Sequence, residues 1–149
     1  MRSLLYCVPA PLNAALCFKE ETVKAISVVE PWGTMIADGI KSLEIRGWAP
    51  EHLPMQNVAL VQNNKRLTKN GDEDDGEVVA IIDIVSCSPW VKEDCKFSGC
   101  DESEFENGWL AWRLSNIRKL NNPVAAIAKR KFYDLTSLET LAVKCELET

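Results

Sequence analysis

Between Ala25 and Trp48 the chain reads AISVVEPWGTMIADGIKSLEIRGW, and the order of residue types in it leaves little choice of local structure. Ala25 to Val29 is a short apolar run rich in β-branched residues, the composition of a buried strand. Pro31 suits a first helical position, where a missing N–H costs nothing. Trp32, Met35 and Ile36 then recur at i, i+3 and i+4, which makes one helix face apolar. Gly39 ends that helix, since glycine takes the left-handed C′ conformation without a Cβ penalty. Ser42 to Arg46 reads as a strand in which alternation sends Leu43 and Ile45 to one face and Ser42, Glu44 and Arg46 to the other. Polar groups therefore line up at the mouth of a turn, with Lys41 beside them.

Downstream, Ala49 to Gln56 carries Pro50 and Pro54 and is expected as a loop. Asn57 to Gln62 has the composition of a strand, closing at Asn63, Asn64, Lys65 and Arg66. Leu67 to Gly76 is hydrophilic and turns at Asn70-Gly71. Its successive acids, Asp72 to Asp75, lack the ligand spacing and closing glutamate of a calcium loop, so it reads as a solvated hairpin loop. Glu77 to Cys87 is the longest apolar strand candidate, and its Val79 to Ile82 run implies burial on both faces. Asp83 interrupts it and must reach a partner, because burying a carboxylate unpaired is costly. Ser88 to Asn107 reads as a flap with a short helix around Glu102 to Glu106. Trp109 to Ile117 and Pro123 to Ala128 are further strands, and Thr136 with Glu139 forms a capping box for a terminal helix from Ser137 to about Lys144.

At 149 residues the chain has the size of one domain, able to bury a core without disulfides or metal. No apolar run approaches the ~18 residues of a membrane helix, so no membrane partner is expected. The opening MRSLLYCVPAPLNAALCF resembles a secretory signal superficially, but Pro9 and Pro11 interrupt it, and residues 1–24 are expected as an N-terminal extension. The cysteines, at 7, 17, 87, 95, 100 and 145, contain no Cys-x-x-Cys and read as buried or free thiols of a reducing, cytoplasmic setting. A zinc site drawn from Cys87, Cys95, Cys100 and His52 matches no common spacing, so no metal or cofactor is expected.

The formal charge of −5 argues against a uniformly basic nucleic-acid coat, yet the charges are segregated. Lys69 to Glu106 holds twelve acids against three bases. Asn107 to Tyr133 holds no acid and six bases: Arg113, Arg118, Lys119, Lys129, Arg130 and Lys131. An acidic protein of this kind can still turn a positive face to phosphate.

Taken together, the strand, the Pro31-Trp32 helix and Gly39, Lys41, Glu44 and Arg46 in the pattern Gly-x-Lys-x-x-Glu-x-Arg, followed by Trp48, resemble the ASCH domain, a relative of the PUA domain of RNA-modification proteins. GEVVAIIDIVSC and GWLAWRLSNIRKL fit as its later strands, so the resemblance runs from about Lys24 to Leu135. It implies an α+β fold over residues 25–149, a small mixed, partly open β-barrel with flanking helices, and a cleft lined by Lys41, Glu44 and Arg46. In ASCH relatives the polar residues closing the next strand face that cleft, which adds Asn63 and Lys65 as candidate contacts. Trp32 and Trp48 are candidate stacking surfaces, with Trp90 as a third, and Arg113 is a candidate from the basic stretch.

Arg46 offers a planar fork of donors to phosphate or a base edge, Lys41 a point charge, and Glu44 an acceptor for an exocyclic amine. The favoured function is binding of RNA or a nucleotide-like small molecule. An alternative is a hydrolase acting on N4-acylated cytidine or on RNA, with Lys41 and Glu44 catalytic. Amidohydrolase-like ASCH relatives place a threonine nucleophile three residues after the lysine. Glu44 occupies that position here and cannot serve, while Ser42 points away from Lys41 on a strand. A third reading is a protein-interaction module in transcription or translation, with a protein partner.

Overall fold

The computed structural model describes residues 22–99 and 107–148. In chain order they form β1 (Lys24–Val29), α1 (Trp32–Ala37), β2 (Leu43–Arg46), β3 (Met55–Asn63), β4 (Glu73–Pro89), a 3-10 turn (Lys92–Asp94), α2 (Cys95–Ser98), β5 (Leu110–Lys129), β6 (Tyr133–Asp134) and α3 (Ser137–Leu147). The strands make one six-stranded mixed sheet in the order β2-β5-β4-β3-β1-β6. Among the described residues only β1 with β3 is a parallel pair. The sheet curls but does not close, so β2 and β6 remain its edges.

Bulges in the two longest strands produce the curl, since an unpaired extra residue bends a strand and raises its local twist. Ile81 and Asp83 of β4 pair with Arg118 and Ser115, which leaves an extra β5 residue where Asn116 takes φ 48°. Farther along, Val78 pairs with Val124 and Ala80 with Lys119, so residues 120–123 of β5 lie off the ladder. Pro123 sits in that excursion, where its missing N–H breaks no ladder bond. Asp83, only 9% exposed, pins this region. It accepts from the Asn57 N–H at 3.0 Å, from Asn116 Nδ2 at 3.2 Å and from Arg118 Nη2 at 2.8 Å. Burial pushes its pKa up, and those three donors outweigh it, so the carboxyl sits below its usual range.

Both faces of the sheet are covered. Val58 and Leu60 of β3 join Ile26, Val28, Ile82 and Trp112 under Ile36 of α1, while Ala59 and Val61 join Ala25 and Ile81 under Val143 of α3. Alternate residues of β3 thus enter different cores, and burying each large side chain stabilises the fold by about 1.5–3 kcal/mol. A third cluster, Leu43, Trp90, Cys95 and Ala111, lies against α2. The α3 capping box is formed: Glu139 N–H donates to Thr136 Oγ1 at 3.1 Å and Thr136 N–H to Glu139 Oε1 at 2.8 Å. Oε2 of Glu139 also accepts from the Ile127 N–H at 2.9 Å, which ties the helix to β5.

Several expected boundaries move. Pro31 is the N-cap and Trp32 the first helical residue of α1. Met55 and Gln56 belong to β3 rather than to the preceding loop, and Glu73 to Gly76 belong to β4 rather than to a hairpin loop. The strands expected at Trp109 to Ile117 and Pro123 to Ala128 are one strand, β5. The terminal helix extends to Leu147. The helix expected at Glu102 to Glu106 and most of the N-terminal extension lie outside the described residues, and Lys24, placed in that extension, opens β1.

Candidate functional site

Two glycines of α1 and its exit set the position of Lys41. Gly33 lies flush on Gln62 of β3; a Cβ there would stand 2.8 Å from Gln62 Oε1. The same Oε1 accepts from the Thr34 N–H at 2.8 Å and so holds the start of the helix on the sheet. At the other end Gly39 takes φ 80°. Its N–H bonds to the Ile36 carbonyl at 3.0 Å and the Ile40 N–H bonds to Met35 O at 2.9 Å, a Schellman motif. The Lys41 N–H then also reaches Met35 O, at 3.1 Å, and the chain turns into β2.

Lys41 is 5% exposed, and its Nζ lies 3.0 Å from Glu44 Oε1 and 5.1 Å from the centre of the Trp32 ring. Glu44 Oε2 accepts from Arg46 Nε at 2.8 Å, and Arg46 Nη2 donates to the Ser27 carbonyl of β1 at 2.8 Å. Burial raises the Glu44 pKa, but the charges of Arg46 and Lys41 and their hydrogen bonds prevail and hold the carboxyl below its usual range. Ammonium, carboxylate and guanidinium therefore form one line, each carboxylate oxygen taken by a different cation.

That line is a wall of a cleft of about 510 Å³ at the seam where β1 and β2 fail to pair. The end of β5 and the turn after it, Lys129 to Lys131, line the same cleft. Lys131, with φ 59°, sets its Nζ 4.6 Å from the centre of the Trp48 ring. Trp48 is in turn packed edge-on against Trp112 and Phe132. Among the described residues six basic residues line the cleft against one acid, Glu44, together with Trp32, Trp48 and Trp109. The cleft of an acidic chain is thus strongly cationic.

The family model of the ASCH domain matches residues 26–124. The chain belongs to the ASCH domain family. ASCH domains are generally associated with RNA. An ASCH protein of Zymomonas mobilis superposes with TM-score 0.55 at 15% identity, covering 84% of this chain and 95% of that one. Two single-residue mutants of it, serine to alanine and tyrosine to phenylalanine, superpose with TM-scores of 0.54 and 0.53, both at 14% identity, covering 84% and 83% of this chain and 96% and 97% of theirs. At such identity the likeness is one of fold. No curated protein sequence matches the chain significantly.

Within this ASCH domain, Trp32, Lys41, Glu44, Arg46, Trp48 and Asn63 all line the cleft. Lys65 does not; its backbone is held by Asp74 and Asn63, and its neighbour Arg66 takes the lining position. Arg113 lies opposite Leu43 in the β2–β5 ladder, hence on the face turned away from Glu44, and its guanidinium is near Asp94. Trp90 is buried beside Leu43 and Cys95, away from the cleft. Arg66, Trp109 and Lys129 to Lys131 were not among the candidates. The sequence signal for the last three is the acid-free basic stretch, which also holds Arg113. Among the described residues no helix is long and apolar enough to cross a membrane.

Proposed function

We propose that this ASCH domain binds RNA, or a nucleotide-like ligand, in the cleft between β1, β2 and the turn after β5. The observation that carries the reading is that six basic residues and three tryptophans line one hollow against a single acid, in a chain of formal charge −5. Phosphate meets the cations and an unpaired base stacks on an indole, a pairing that RNA-binding sites use repeatedly. Among the described residues none accepts from Arg46 Nη1, so that donor is open to a phosphate or a base edge. Glu44 is the positioning residue: with an oxygen on each cation it aims both and neutralises neither completely.

Hydrolysis is the second reading, favoured by the 3.0 Å Lys41–Glu44 pair inside the cleft. Against it, both oxygens of Glu44 are engaged and its carboxyl is held ionised, which suits a clamp better than a proton shuttle. Among the described residues the one hydroxyl lining the cleft, Ser27 Oγ, is engaged with Tyr133 at 2.7 Å. A cytoplasmic location completes the proposal, consistent with the free thiols of Cys87 and Cys145.

Fluorescence anisotropy with labelled single-stranded RNA tests binding. Affinity should fall with salt by about 0.7 log units per log unit of salt for each phosphate held, and Lys131→Ala and Arg46→Ala should weaken binding and flatten that slope. Absence of binding across nucleotides and RNA would sink the reading. Release of cytidine from N4-acylcytidine, lost in Lys41→Ala, would replace it with the hydrolase.

A further inference from the structure

On the other side of the turn after β5 lies a second hollow of about 370 Å³, formed by Asn70 to Glu73 and Tyr133 and sharing Lys129, Arg130 and Lys131 with the cleft. We propose that it takes the next nucleotide of the same strand, so that the ligand is a single-stranded oligonucleotide bound across the Lys129–Lys131 ridge. This rests on the reading of the cleft given above.

Three consecutive cations separate the two hollows, and their heads divide between them. Lys131 reaches back over Trp48 in the cleft. Arg130 reaches the other way, its Nη1 donating to Asn70 Oδ1 at 2.9 Å, and Lys129 Nζ lies 3.7 Å from Glu73. In a regular strand consecutive side chains simply alternate; the left-handed φ at Lys131 breaks that rule and gives the cations their spread. A free mononucleotide in the cleft uses one flank of the ridge. A phosphodiester running over it uses both.

The two hollows differ in chemistry as neighbouring subsites should. The cleft sets six basic residues against one acid, whereas the second hollow sets the three shared cations against Asp72 and Glu73, beside the Asn70 amide and the Tyr133 ring. Asp72 Oδ2 accepts from the Lys69 N–H at 2.8 Å and the Thr68 N–H at 3.0 Å, so its carboxylate is fixed in place. Carboxylates repel phosphate and accept from exocyclic amines. The bridging phosphate accordingly stays on the ridge, and a base enters the hollow against Tyr133. The volume lies within the usual range of small-ligand sites, about 300–1,000 Å³.

The test compares nucleoside 5′-monophosphates with RNA of two, three and six nucleotides. Affinity should rise at least tenfold from one nucleotide to three and then level off, with about 0.7 added to the salt slope per phosphate gained. Asn70→Trp, which fills only the second hollow, should bring trinucleotide affinity down to that of the monophosphate and leave monophosphate binding within about twofold. Asn70→Glu, which adds an anion there, should do the same if the bulkier variant folds poorly. Monophosphates binding as tightly as RNA, or trinucleotide affinity unmoved by both variants, would overturn the second subsite and leave the cleft reading standing. Failure of every ligand to bind would overturn both.

Discussion

Arg46 Nη2 donates to the Ser27 carbonyl at 2.8 Å, and this bond joins β2, one edge of the sheet, to β1, the strand next to the other edge. The same guanidinium holds Glu44 through Nε. A residue facing the cleft is thereby also the tie across the seam. Arg46→Ala should cost about 2–3 kcal/mol, the usual worth of charge-assisted hydrogen bonds. Arg46→Lys keeps the charge without the planar fork and should recover less than half. Urea unfolding measures both; a loss below about 0.5 kcal/mol would mean that the tie does not hold the seam.

Acid should weaken the fold through Glu44 and Asp83. Both carboxyls have lower pKa values folded than unfolded. Such a group stabilises the fold above its unfolded pKa, and the contribution disappears as pH falls through the folded value. The urea midpoint should hold from neutrality to about pH 5 and drop below it. Glu44→Gln should be less stable at neutral pH, because Lys41 loses its anionic partner, and its deficit should shrink on acidification. A constant deficit from pH 7 to pH 3 would show that the Glu44 charge does not stabilise the fold.

Gly33 and Gly39 should fail differently on substitution by alanine. At Gly33 the new Cβ meets Gln62 Oε1 at 2.8 Å and Gln62 Cβ at 2.9 Å, so the helix must lift, at about 1–3 kcal/mol. At Gly39 nothing among the described residues lies within 4 Å, and the cost is the left-handed backbone, about 1–2 kcal/mol. Hydrogen exchange separates the cases: the Thr34 amide, bonded to Gln62, should lose protection in Gly33→Ala and keep it in Gly39→Ala.

Arg113→Ala and Lys65→Ala should leave RNA affinity within about twofold at physiological salt, where charges beyond ~8 Å are largely screened. Neither side chain lines the cleft. A tenfold loss in either would place the ligand on a different surface.

Much of this arrangement was legible locally. The Gly39 turn, the two-residue alternation that parts Glu44 and Arg46 from Leu43 and Ile45, and the Thr136–Glu139 box all depend on neighbours within a few residues, whose geometry is limited by backbone sterics and short hydrogen bonds. The ASCH pattern rests on the same stretch. Strand limits were less legible. Glu73 to Gly76 looks like a hydrophilic loop until β5 pairs with it, and Pro123 looks like a break until a bulge absorbs it. Cross-strand register depends on partners far along the chain, and no local composition encodes it. The same holds for the cleft. Lys129 to Lys131 meet Lys41 and Arg46 only because bulged strands curl the sheet until its ends nearly touch, and Arg113, equally basic, is turned away by its pairing with Leu43. Residue types decided which side chains could recognise an anion; the curvature of the sheet decided which of them face one hollow.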